Sequence, residues 1–131
     1  MKPLAILVVD DQPIMREVLA QILEDAGHEV RVSAGGIEAL REMAETAFDV
    51  LVTDLVMPGM DGLELIGEVR RRHPDVRIVA MSAGSERYSD RAALSIAERL
   101  GAGVLLSKPF PRDHLVLAID ALCPLPALVQ Y

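Results

Sequence analysis

The strongest constraint on what this chain can fold into is a strict alternation of two kinds of apolar segment. Short apolar runs at residues 4–9, 29–33, 50–53, 78–81 and 104–106 are separated by longer stretches in which apolar residues recur at helical spacing. Runs of that length read as strands, whereas recurrence every three or four positions makes one face of a helix. Five such strand–helix units, joined by right-handed crossovers, give an α/β fold: a (βα)5 doubly wound parallel sheet with helices on both faces. The second run sets Val30 and Val32 against polar neighbours, which fits an edge strand with one wet face. That edge favours the strand order 2-1-3-4-5.

The helical segments carry their own punctuation. The first spans Pro13 to Ala26 with a stripe of Ile14, Met15, Val18, Leu19, Ile22 and Leu23, wide enough to cover a sheet. Pro13 suits its first turn and Gly27 the position past its end. Gly35 and Gly36 open the second, which carries Ile37, Leu40, Met43 and Ala44. The third carries Leu65, Ile66 and Val69, stops before Pro74, and has Asp61 and Glu64 at capping-box spacing. The fourth carries Leu94, Ile96, Ala97 and Leu100 and stops at Gly101. The fifth starts near Pro111 and carries Leu115, Val116, Ile119 and Leu122.

Composition narrows the function classes. A chain of 131 residues fits one domain, assigned here to residues 1–123, with a short apolar tail at 124–131 and no output domain. The aromatics are Phe48, Tyr88, Phe110 and Tyr131 alone, so the 51% of hydrophobic residues must build an aliphatic core. A net charge of −7 disfavours nucleic acid as a direct partner, because a phosphate backbone needs a basic face. The single cysteine, Cys123, rules out an internal disulfide and a cysteine-based metal site. No stretch approaches the length of a membrane span, which leads to the expectation of a cytoplasmic protein with no membrane partner. His28, His73 and His114 fall near helix ends or loops without metal-ligand spacing and are expected to be solvated.

Function concentrates at the carboxyl ends of the apolar runs. The first ends in Asp10 and Asp11, the third in Asp54, the fourth in Ser82, and the fifth in Ser107 and Lys108. In an open parallel sheet these ends share one edge, and ligands bind at the crevice where the strand order reverses. Asp10, Asp11 and Asp54 should therefore converge, with Ser82 and Lys108 beside them. Two like charges about 5 Å apart cost roughly 3 kcal/mol at an effective dielectric near 20. A fold with a margin of about 5–15 kcal/mol does not carry three such charges idly. A hard divalent cation resolves the repulsion, and oxygen-only ligands point to Mg²⁺ or Mn²⁺ over zinc. With metal and lysine in place, the cleft suits a phosphoryl group. Each residue also has an ordinary alternative: a helix cap for Asp10 or Asp11, a turn for Asp54, a loop hydroxyl for Ser82, a surface cation for Lys108. All of these holding together, each at the end of the right strand, is improbable.

At these residues the chain resembles the response-regulator receiver family of two-component signalling, a flavodoxin-like fold. The similarity spans about residues 4–122 and rests on four pieces in order: Leu7-Val8-Val9-Asp10-Asp11, Val52-Thr53-Asp54-Leu55-Val56-Met57-Pro58-Gly59-Met60-Asp61-Gly62, Met81-Ser82-Ala83, and Ser107-Lys108-Pro109-Phe110. The resemblance implies that Asp54 takes a phosphoryl group from a phosphohistidine on a sensor histidine kinase or phosphotransfer protein. It implies metal ligation by Asp11, by Asp10 directly or through water, by Asp54, and by the backbone carbonyl of Val56. Lys108 would pair with Asp54 and then with the phosphoryl group. Ser82 and the backbone N–H of Ala83 would close on a phosphoryl oxygen, and a cis bond before Pro109 would aim the lysine. Such a protein is a signalling receiver that catalyses its own phosphorylation and dephosphorylation, with a downstream protein partner at the face made by the fourth helix, fifth strand and fifth helix.

Two features depart from the family pattern. Leu105 stands where an aromatic residue is usual, and the stretch from Ser82 to Gly101 is longer than usual. Together they imply an output route through residues 84–90 and the start of the fourth helix, with Tyr88 a possible participant, in place of an aromatic rotamer switch. Rival readings are weaker. A phosphatase with an aspartate nucleophile wants two aspartates separated by one residue, and Asp10 and Asp11 are adjacent. A nucleotide-binding module would show a phosphate loop after a strand, whereas Gly101-Ala102-Gly103 precedes one. A degenerate receiver serving only as a scaffold would lack site residues that are all present here.

Overall fold

A computed structural model describes residues 3–82 and 90–123. Its strands are β1 (Ala5–Val9), β2 (Glu29–Ser33), β3 (Val50–Asp54), β4 (Arg77–Ser82) and β5 (Val104–Ser107). They alternate with α1 (Pro13–Asp25), α2 (Gly36–Glu45), α3 (Gly62–Arg72), α4 (Asp90–Arg99) and α5 (Arg112–Leu122). All pairings are parallel and the order is β2-β1-β3-β4-β5. Pairing runs further toward the carboxyl edge than the apolar runs alone suggest. Asp54 pairs with Met81, and Ser82 with Ser107, so the functional residues end paired strands.

Strand side chains alternate between two cores. Leu7, Val9, Leu51, Ile78 and Ala80 pack under α2, α3 and α4 with Leu40, Ile66 and Ala97. Ile6, Val8, Val52, Val79 and Met81 pack under α1 and α5 with Leu19, Leu23 and Ile119. Both layers are almost wholly aliphatic. Phe48 is the one aromatic residue among the buried members of either cluster, and Phe110 is half-buried at the margin.

Several helical stripes are narrower than the sequence pattern indicates. On α1, Leu19, Ile22 and Leu23 are buried and Met15 packs beside them, but Ile14 is 78% exposed and Val18 is exposed as well. The reason is angular. Successive helix residues are about 100° apart, so positions 15, 19, 22 and 23 fill one arc and positions 14 and 18 fall beside it. The same arithmetic leaves Ile37 exposed on α2, beside buried Ala39, Leu40 and Met43. Ile96 is likewise exposed on α4, next to buried Ala97. On β2, Val30 is half-buried while Val32 is exposed, because an edge strand has no neighbour on its outer side.

The turn chemistry is local. Pro13 begins α1, and Gly27 follows it with φ +96°, a left-handed conformation that costs glycine nothing. Asp61 caps α3, its side chain accepting from the Glu64 N–H. His28 departs from the expectation of a solvated ring. It is buried in the turn before β2, and its Nδ1 accepts the Leu4 N–H at 3.2 Å. His73 is half-buried and His114 exposed.

Candidate functional site

The site is assembled where β1, β3, β4 and β5 end. Asp10 follows β1 and is fully buried, its N–H donating to the Ser33 carbonyl at 3.2 Å. One carboxylate oxygen accepts the Gln12 N–H at 2.9 Å and the other accepts from the Lys108 ammonium at 3.1 Å. Asp54, the last residue of β3, divides its oxygens the same way. One accepts the Val56 N–H at 3.2 Å and the other accepts from Lys108 at 3.0 Å. Asp11 is half-buried, and its carboxylate has no hydrogen bond among the described residues. One carboxylate oxygen from each of Asp10, Asp11 and Asp54 lies within 4.8 Å of the others.

Lys108 reaches this cluster from the other side of the switch point. Its backbone N–H donates to the Ser82 carbonyl at 2.7 Å, extending the β4–β5 pairing to the edge of the cleft. The peptide bond to Pro109 is cis. Burial works against the ammonium, but the charges and hydrogen bonds of Asp54 and Asp10 outweigh it and hold the group above the ordinary lysine range. The amine is therefore charged throughout neutral pH. Three carboxylates face one ammonium, so negative charge remains in excess and the donors are all oxygens. Such a pocket suits a hard divalent cation.

The remaining residues singled out from sequence take these places. Ser82 is buried at the end of β4, and Val56 is half-buried two residues beyond Asp54. Leu105 is half-buried and packs against the core under α2, α3 and α4. Ala83, Tyr88 and residues 84–89, where the alternative output route was expected, lie outside the described residues, as does the tail at 124–131.

Two contributors were not singled out from sequence. Gly62 opens α3 against the end of β3, where a Cβ would collide with the Asp54 carbonyl oxygen and lie 2.6 Å from the Leu55 Cα. Arg16, in the first turns of α1, donates from its guanidinium to the backbone carbonyl of Asp10 at 2.8 Å. The local signals existed: a glycine directly after a capping aspartate, and an arginine just inside the helix that follows an acidic pair. Neither has meaning until the helices are packed on the sheet.

The family model for the response regulator receiver domain matches residues 6–120, nearly the whole described chain. The chain belongs to the response-regulator receiver family. Among curated relatives, this receiver is 39% identical over 120 residues to the DNA-binding transcriptional regulator NtrC of Azospirillum brasilense, covering 92% of this chain and 24% of that protein. The receiver thus spans about a quarter of the NtrC relatives it matches. It is 30% identical over 118 residues to the chemotaxis protein CheY of Listeria monocytogenes, covering 89% of this chain and 96% of the relative. Among solved structures, a CheY-like receiver domain protein from Methanospirillum hungatei JF-1 superposes with a TM-score of 0.84 at 25% identity, covering 92% and 93% of the two chains. NtrX from Brucella abortus superposes with a TM-score of 0.83 at 33% identity, over 92% of the receiver and 27% of NtrX. Receivers are signalling modules that work with histidine kinases and downstream effectors. No helix among the described residues is long and apolar enough to cross a membrane.

Proposed function

We propose that this receiver accepts a phosphoryl group on Asp54 from a phosphohistidine of a sensor histidine kinase or phosphotransfer protein, with Mg²⁺ or Mn²⁺ bound beside it. The observation that carries the reading is the Lys108 ammonium bridging Asp10 and Asp54, with the Asp11 carboxylate beside them and not hydrogen-bonded among the described residues. An Asp54 carboxylate oxygen attacks phosphorus, the histidine N–P bond breaks, and its electron pair leaves on the imidazole nitrogen. Asp10, Asp11, Asp54 and the Val56 carbonyl would hold the cation, which when bound supplies positive charge to the transferring phosphoryl oxygens. Lys108 already touches Asp54 and lies within reach of charge that develops there. Ser82, buried at the end of the neighbouring strand, offers a hydroxyl on the same edge. The Val56 N–H holds the second Asp54 oxygen and so fixes the carboxylate plane.

The output surface in this reading is the face of α4, β5 and α5, where Ile96 is exposed and Leu105 packs inward. Incubation with a small-molecule phosphodonor and Mg²⁺ should add the mass of one phosphoryl group. The Asp54→Asn protein should gain none. Equal labelling of the two would place the acceptor elsewhere, and no labelling of either would favour a scaffold.

A further inference from the structure

From the contact between Arg16 and the Asp10 carbonyl, we infer that Arg16 is a positioning residue that aims the Asp11 carboxylate at the cation. The inference rests on the metal-dependent reading above and adds a residue to it. Asp10 and Asp54 are each held twice by hydrogen bonds, to Gln12 and Lys108 and to Val56 and Lys108. The Asp11 carboxylate has no such restraint among the described residues. Its direction is set by its backbone together with its own side-chain rotamers, and that backbone begins with the peptide joining Asp10 to Asp11. A peptide unit is planar, so fixing the direction of its carbonyl fixes the direction of the following N–H and the entry to the next Cα.

The Asp10 N–H is tied into the β1–β2 edge through Ser33, which secures the residue on its amino side. On its carboxyl side the carbonyl accepts from the Arg16 guanidinium at 2.8 Å, a charge-assisted hydrogen bond in a half-buried setting. The Arg16 backbone is itself anchored, its N–H donating to the Gln12 carbonyl at 3.0 Å in the first turn of α1. The first turn of α1 thus holds the peptide from which the Asp11 residue departs. Arg16 forms no ion pair within 4.0 Å among the described residues, so this backbone contact is the role the structure assigns to it.

Two effects of the guanidinium oppose each other at the metal. Its charge disfavours a cation nearby, whereas its hydrogen bond spares the site the cost of ordering Asp11 on binding. Because the guanidinium is committed to the Asp10 carbonyl, the ordering effect is expected to govern. Removing a hydrogen bond that orients a metal ligand typically weakens binding by about 10- to 100-fold.

The test is titration calorimetry with MgCl₂ on the full chain. The parent protein, Arg16→Met, Arg16→Ala and Arg16→Lys would be compared, with metal-free melting curves run alongside. The expected result is roughly tenfold weaker Mg²⁺ binding in Arg16→Met and Arg16→Ala, with most of the affinity restored in Arg16→Lys, which keeps a charged donor. Metal-free melting curves identify the variants that remain folded, and Mg²⁺ affinities are compared among those; alanine and lysine both favour the helix at this position. Unchanged or tighter Mg²⁺ binding in Arg16→Met or Arg16→Ala overturns the assignment and gives the charge effect precedence. A loss that lysine does not rescue overturns it also. No Mg²⁺ binding by the parent protein refutes the metal reading itself.

Discussion

At the scale of single residues, the site depends on groups that do no chemistry. Gly62 is buried where α3 meets the end of β3, and its N–H donates to the Leu55 carbonyl at 2.9 Å. A side chain there would strike backbone, which cannot swing away as a flexible side chain would. Gly62→Ala should therefore push the start of α3 off Asp54 and destabilise the fold by about 1–3 kcal/mol in urea unfolding. Labelling of Asp54 by a small phosphodonor should slow in the same variant. Gly67→Ala is the control, because nothing lies within 4 Å of the Cβ it would add. Equal unfolding midpoints for the two variants would mean that α3 adjusts without cost.

At the scale of elements, α1 serves two surfaces. One arc covers the sheet through Leu19, Ile22 and Leu23, and the neighbouring arc leaves Ile14 and Val18 in solvent. Val18 also lines, with Met15, Leu19, Ile22, Lys108, Pro109 and Phe110, a mostly apolar groove of about 400 Å³. In the proposed reaction a protein phosphodonor brings its histidine to Asp54 and so lies against the rim of the cleft. Exposed apolar side chains at that rim offer it hydrophobic contact. Replacing Ile14 and Val18 together with serine should lower the rate of transfer from a phosphorylated kinase or phosphotransfer domain about tenfold or more. Labelling by a small phosphodonor should be unchanged, as should the fold. Equal losses with both donors would show that the residues act on the site and not on docking. The β2 edge of the sheet is guarded. Arg31 on β2 pairs with Glu42 on α2 at 3.1 Å, and its charge on the edge discourages another strand from adding there. That exposed pair itself contributes at most about 1 kcal/mol.

At the scale of the whole molecule, the fold gathers negative charge at one end of its sheet and neutralises only part of it. The two aliphatic cores lock the strands in register, which keeps Asp10 and Asp54 close despite their repulsion, with Asp11 beside them. A bound cation should stabilise the entire domain, by roughly 2.7 kcal/mol at about 100 times Kd. The melting temperature should rise with MgCl₂ and not with an equal ionic strength of NaCl. The rise should largely vanish in Asp11→Ala. A rise of full size in that variant would put the metal at a different place.

Much of this was legible in the order of residues. Alternating apolar runs, the edge-like β2 and the polar or charged residues closing the first, third, fourth and fifth runs together imply the sheet order and the residues that meet at the cleft. They do so because strand and helix periods are local properties, and parallel crossovers have one hand. The spacing of Asp61 and Glu64 announced the α3 cap for the same local reason. What could not be read locally was which part of each apolar stripe the sheet would cover. Ile14, Val18, Ile37 and Ile96 look like core residues until the helices are docked at their actual angles. His28 looked solvated because its partner, the Leu4 N–H, is 24 residues away. The closeness of Gly62 to Asp54 and the seating of Arg16 on the Asp10 carbonyl were equally hidden. Burial, backbone contact and side-chain reach depend on where separate elements come to rest against one another, and only packing in three dimensions sets that.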